Sequence, residues 1–135
     1  MGDSSGRGMG EGNALKGQRG WRRLVNATRY SRDGLAAAWR HEDAFRQEVM
    51  IAAVLLPVAL LLPLPAVEKL LLIGSVLLVL IVELLNTAVE AAVDRDSLAV
   101  NELGKRAKDY GSAAVMLALV LAGLTWILIL GAHYL

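Results

Sequence analysis

Glu83, Asn86, Glu90 and Asp94 are spaced i, i+3, i+7 and i+11. At about 100° per residue these four side chains fall within an arc of roughly 80° on an α-helix. The residues around them, from Leu70 to Val93, are otherwise strongly apolar. The stripe of carboxylates and one amide therefore belongs to a helix inside a membrane, where ionisable groups are costly, face protein or water, and mark function. Depth separates their chemistry. A hydrocarbon core of about 30 Å takes about 20 helical residues. Counting from Leu70 sets Glu90 near one interface and Glu83 roughly 10 Å deeper. An acid at the interface can meet a hydrated metal and a soluble nucleotide. A deeper acid can meet the hydroxyl of a membrane-dissolved alcohol and accept its proton as a general base. Interhelical ion pairing would account for one such acid. It does not account for four polar residues on one stripe when no Lys or Arg lies within 49–64, 70–93 or 113–132.

Other polar residues gather at the same level. Glu42, Arg46 and Glu48 lie where the N-terminal segment enters the first apolar stretch, and Glu42 and Arg46 have the i, i+4 spacing of a helix ion pair. Lys108 and Asp109 precede the last apolar stretch, with Ser112 just inside it. Asp109 also suits the N-terminus of that helix, where acids are favoured. Soluble nucleotide-binding signatures are missing: Gly104-Lys105 has no Gly five residues before it, so there is no Walker A loop, and the Gly-rich N-terminus has no strand context for a dinucleotide fingerprint.

The elements that must position these groups follow from composition. The chain has 135 residues, 56% of them hydrophobic, against about 45–50% in soluble domains. The 20% that are charged must therefore be segregated. There are no cysteines, which excludes disulfides and thiolate metal sites. Residues 1–20 are rich in Gly and Ser and read as a disordered extension. Residues 21–41 read as a basic amphipathic helix on an anionic membrane surface, with lipid headgroups rather than nucleic acid as its partner. Spans are expected at about 44–64, 68–94 and 111–133, with Pro57 kinking the first. The fold class is an all-α membrane protein, one domain over 21–135. Nine of the fourteen Lys and Arg residues lie in the first 46 positions, and most of the others lie between 95 and 108. By the positive-inside rule the N-terminus and the 94–111 loop are cytoplasmic, and the 63–69 turn and the C-terminus lie outside. That topology leaves the acceptor-like Asn26-Ala27-Thr28 unglycosylated.

The segments AAWRHEDAFRQE, IVELLNTAVEAAVDR and ELGKRAKDYGSAAV resemble the prokaryotic diacylglycerol kinase family from about Arg23 to the C-terminus, in order, spacing and loop length. The resemblance implies a homotrimer of nine transmembrane helices, with active sites shared between neighbouring subunits in a bacterial inner membrane. It implies transfer of the ATP γ-phosphoryl group to diacylglycerol, with Mg2+. It makes Glu83 the catalytic base, and Glu42 and Glu90 the metal and ATP ligands. Tyr30, Lys108 and Asp109 match nucleotide-contacting positions. Arg23, Arg46, Asn86 and Ser112 match positions lining the lipid and phosphate pocket. The chain departs from the family pattern at Asp43, an extra acid beside Glu42, and at 96–101, where DSLAVN lacks the expected Gly and His. Undecaprenol is the alternative lipid within the family. A transporter or proton relay, and a structural subunit with acids as assembly contacts, are the readings outside it.

Overall fold

The computed structural model describes residues 5–96 and 101–135, all of them in or between four α-helices: α1 (Ser5–His41), α2 (Asp43–Leu61), α3 (Ala66–Asp96) and α4 (Glu102–Tyr134). The chain divides into two units with the boundary between Ala37 and Ala38. In the first unit α1 exposes Trp21, Leu24, Val25 and Leu35. The same helix carries Arg19, Arg22 and Arg23 beside Asn26 along one pocket. Helix α1 takes in residues 5–20 as well as the 21–41 segment expected to be helical.

The second unit is built around α3, which packs against both α2 and α4. Helices α2, α3 and α4 are each long and apolar enough to cross a membrane, which bears out the all-α membrane fold. Their large exposed side chains, among them Ile51, Val54, Leu71, Ile81, Leu117 and Leu128, are those of a lipid-facing surface. Pro57 lies inside α2, where its ring removes one backbone hydrogen bond. That helix closes with the Leu62 N–H donating to the Val58 carbonyl, and Lys69 Nζ donates 2.8 Å to the Leu60 carbonyl. At this end Ala59, Leu64 and Leu72 form a buried cluster, and His133 Nε2 lies 2.5 Å from Glu68 Oε2.

Helix α4 begins nine residues ahead of the span expected at 111. Asn101 caps it, its side chain accepting from the Gly104 N–H. The ion pairs Arg106–Glu102 and Lys105–Asp109 run i, i+4 along the first turns. These polar turns extend the helix beyond its apolar part. Asp109 is accordingly not the cap of α4; it lies two turns inside and pairs with Lys105 at 2.7 Å. Residues 97–100, most of the divergent DSLAVN stretch, lie outside the described residues.

Candidate functional site

The acidic stripe of α3 continues that helix's packing face. Leu72, Ser75, Val76 and Val79 are buried along it, and Glu83 follows at 7% exposure. At about 100° per residue the stripe from Leu72 to Asp94 stays on one side of the helix. Toward one end it is apolar and seals the bundle; toward the other it becomes Glu83, Asn86, Glu90 and Asp94. One periodic face thus serves first as core and then as site.

On α2, Glu48 lies next to Glu83, the two carboxyl groups being near enough to act on each other. One oxygen of each, Glu48 Oε2 and Glu83 Oε2, is buried without a hydrogen-bond partner. Glu90 and Glu42 are close enough to act electrostatically on Glu83. One turn from Glu83, Asn86 Nδ2 donates to Glu90 Oε1 at 3.3 Å, and Asn86 Oδ1 is buried and unpaired. From α4, Lys108 Nζ lies 2.5 Å from Asp94 Oδ1 and within electrostatic range of Glu90. Glu42 is the N-cap position of α2 but makes no side-chain capping bond, so its carboxylate does not serve that helix end.

An apolar cleft of about 320 Å³ runs down from Glu48 between the three membrane-length helices. Ile51 and Leu55 line it from α2, Val76 and Val79 from α3, and Gly123 and Trp126 from α4. The cleft has the lining of a hydrocarbon chain's binding site, and its polar end is the carboxyl pair.

The residues singled out from sequence fall into three groups. Glu83, Asn86, Glu90, Lys108 and Glu42 are linked as neighbours by hydrogen bonding or electrostatic range. Arg46 lies at the start of α2, but its guanidinium does not take the i, i+4 partner Glu42. It pairs with Asp43 and donates to the carbonyls of Trp39 at 3.1 Å and Arg40 at 3.2 Å, bracing the break between α1 and α2. Asp43, the departure from the family pattern, is thus the carboxylate Arg46 holds. Asp109 and Ser112 are exposed on α4. Arg23 and Tyr30 are exposed on the unit that ends at Ala37. Glu48 is the residue whose role the sequence understated. Its position immediately before the apolar run that starts at Val49 was a signal, since an acid there is carried into the bilayer with the helix.

Three membrane-length helices, a cluster of acids on α3 and its neighbours, and an apolar cleft headed by Glu48 are those of a multi-pass membrane protein. Residues 29–130 match the family model for prokaryotic diacylglycerol kinase. The chain is 54% identical to the diacylglycerol kinase of Pseudomonas aeruginosa over 116 residues, covering 86% of this chain and 94% of that protein. It is 47% identical to the diacylglycerol kinase of Escherichia coli over 115 residues, 85% of this chain and 94% of that one. With that of Helicobacter pylori it shares 41% over 108 residues, covering 80% and 84%. The chain belongs to the prokaryotic diacylglycerol kinase family, as the ELLNTAVEAAVDR and RAKDYGSAAV segments implied.

Proposed function

We propose that this protein transfers the γ-phosphoryl group of ATP to the free hydroxyl of diacylglycerol, giving phosphatidic acid and ADP, at the cytoplasmic face of a bacterial inner membrane. The observation that carries the reading is the buried Glu83 beside Glu48, which heads an apolar cleft, with Glu90 further along the same stripe and Lys108 of α4 within electrostatic range of Glu90. Acyl chains occupy the cleft, which brings the glycerol hydroxyl to Glu83. Glu83 accepts the hydroxyl proton as the oxygen attacks the γ-phosphorus; the new O–P bond forms while the bond to the β-phosphate oxygen breaks, and ADP leaves. Phosphoryl transfer asks mainly for positioning and charge neutralisation. Lys108 leaves Asp94 to meet the nucleotide phosphates, with Tyr30 and Asp109 as further nucleotide contacts. Arg23, Arg46, Asn86 and Ser112 line the lipid and phosphate side.

The donor set suits Mg2+. Among the described residues no three His, Cys, Asp or Glu side chains converge as a self-contained metal cage. Mg2+ does not ask for one: it is usually held by one or two carboxylates together with substrate phosphates and water. Glu42 and Glu90 supply two carboxylates beside Glu83. When bound, the ion neutralises phosphate charge. The homotrimer with shared sites and a cytoplasmic N-terminus and cytoplasmic 94–111 segment belong to the same reading. The family resemblance and the distribution of Lys and Arg support it.

Incubating the purified protein in mixed micelles with labelled ATP and separate lipid alcohols tests the function. Label should pass to diacylglycerol well ahead of undecaprenol. Transfer to undecaprenol alone would replace the substrate, and no lipid-dependent transfer would reject the kinase reading.

Glu48 has a defined part in this scheme. In it, a hydrogen bond from the neighbouring Glu48 sets the direction of the Glu83 carboxyl group. Hydrogen bonds to charged groups are worth about 1.5–3 kcal/mol, so Glu48→Ala should lower kcat roughly 10- to 100-fold. Glu48→Gln keeps an N–H donor for Glu83 and should retain more activity than Glu48→Ala. Equal activities for the two variants, measured at saturating lipid and ATP, would show that the hydrogen bond is not what matters.

A further inference from the structure

We propose that Gly111 is a positioning residue for the phosphoryl-transfer site, holding the Asn86 amide against Glu90 by leaving α4 without a side chain where the two helices meet. The geometry at this point is tight. A Cβ built on Gly111 would overlap Asn86 Oδ1, stand 3.2 Å from Asn86 Cγ and reach 3.8 Å from Asn86 Cα. The backbone contact is ordinary; the amide is what fills the space a methyl group would need. Gly74, Gly123 and Gly131 on the same two helices would meet nothing within 4 Å, so lack of room is not general to their glycines. Gly104 is also crowded, but by the exposed Asn101 cap and the apolar Val93, not by a polar group of the acidic stripe.

What lies against Gly111 is the one amide of that stripe. Asn86 Nδ2 donates to Glu90 Oε1, and Asn86 Oδ1 is buried with no hydrogen-bond partner. An unpaired carbonyl oxygen would ordinarily turn toward a donor, because leaving it buried and unmet is unfavourable. At Asn86 the donor end is held by Glu90, and the oxygen end lies against the bare backbone of Gly111. Small residues at membrane helix interfaces let backbones approach closely. Here the closeness orients a polar side chain between Glu83 and Glu90 instead of only packing two helices. A methyl group at 111 must push the amide round or α4 outward, and either movement takes the N–H from Glu90.

The inference rests on the kinase reading of the site, with Glu90 on its nucleotide side. Its test is a double-mutant cycle of Gly111→Ala, Asn86→Ala and the pair. Three measurements are made on each protein in detergent: steady-state transfer to diacylglycerol, equilibrium binding of Mg·ADP without lipid, and a thermal melt. Gly111→Ala should weaken Mg·ADP binding and raise the KM for Mg·ATP by about tenfold, the lower end of what loss of a supporting contact does to a metal site. The KM for diacylglycerol should stay within about threefold. Asn86→Ala should show the same nucleotide-side loss. In the Asn86→Ala background the Gly111 substitution should add less than about threefold, because the obstructed group is gone; sites that share a partner are non-additive in this way. Losses that multiply in the double variant would overturn the proposal, as would an unchanged Gly111→Ala or Asn86→Ala. If Gly111→Ala alone fails to assemble, the melt decides: recovery of folding in the double variant supports Asn86 as the group Gly111 makes room for, and no recovery overturns it. An inactive wild-type protein would instead remove the kinase reading itself, so the two failures are distinguishable.

Discussion

Glu83→Gln should lose about 10²–10⁴-fold in turnover, the range general base catalysis contributes, with little change in nucleotide affinity. The substitution keeps size and a hydrogen-bonding group but gives a side chain that cannot take a proton at neutral pH. Glu83 lies deep on the α3 stripe, 7% exposed, against Glu48 at the head of the cleft. In the proposed reaction an acid placed there takes the proton of the lipid hydroxyl as it attacks the γ-phosphate. The variant should also fold at least as well as the wild type, because a neutral amide replaces a desolvated acid. Steady-state transfer to diacylglycerol in mixed micelles, paired with Mg·ADP binding and a thermal melt, measures all three quantities. Near-wild-type turnover would remove the base assignment. Lost turnover together with lost folding would make Glu83 a structural contact between α2 and α3.

The second large effect should fall on the nucleotide side. Glu90→Gln keeps the acceptor that Asn86 Nδ2 uses, at 3.3 Å in the wild type, but removes the carboxylate charge. Loss of a group that merely supports a metal site costs roughly 10- to 100-fold in affinity or activity; loss of a ligand should reach at least the upper end of that range at limiting Mg2+. Raising Mg2+ should restore part of the rate, and the KM for diacylglycerol should hold. A rate whose Mg2+ dependence matches that of the wild type would take Glu90 out of the metal site. The contrast with Glu83→Gln is the informative comparison: one variant fails in turnover at saturating nucleotide, the other in its requirement for the cation.

The amino-acid sequence by itself determined the three membrane-length helices and the polar face of α3. Both are properties of a single helix: length and apolarity set the span, and 3.6 residues per turn fixes which side chains share a face. Glu83, Asn86, Glu90 and Asp94 could therefore be placed together, and Glu83 set deeper than Glu90, before any contact between helices was known. The family was legible for a related reason, since the ELLNTAVEAAVDR and RAKDYGSAAV segments carry the spacing of the site. Relations between helices were not legible, because spacing along one helix says nothing of the rotation and offset of its neighbour. Those are decided by packing. Tertiary structure alone turned Glu48 of α2 toward Glu83 and brought Lys108 of α4 to Asp94 instead of leaving it unpaired in a loop. Locally, the break between α1 and α2 gave Arg46 to its i, i+3 neighbour Asp43 and to the last carbonyls of α1, although i, i+4 spacing favoured Glu42. Tertiary structure also set Gly111 against the Asn86 amide, a role no residue type announces, because only the placement of that side chain across the helix interface shows that a methyl group has no room.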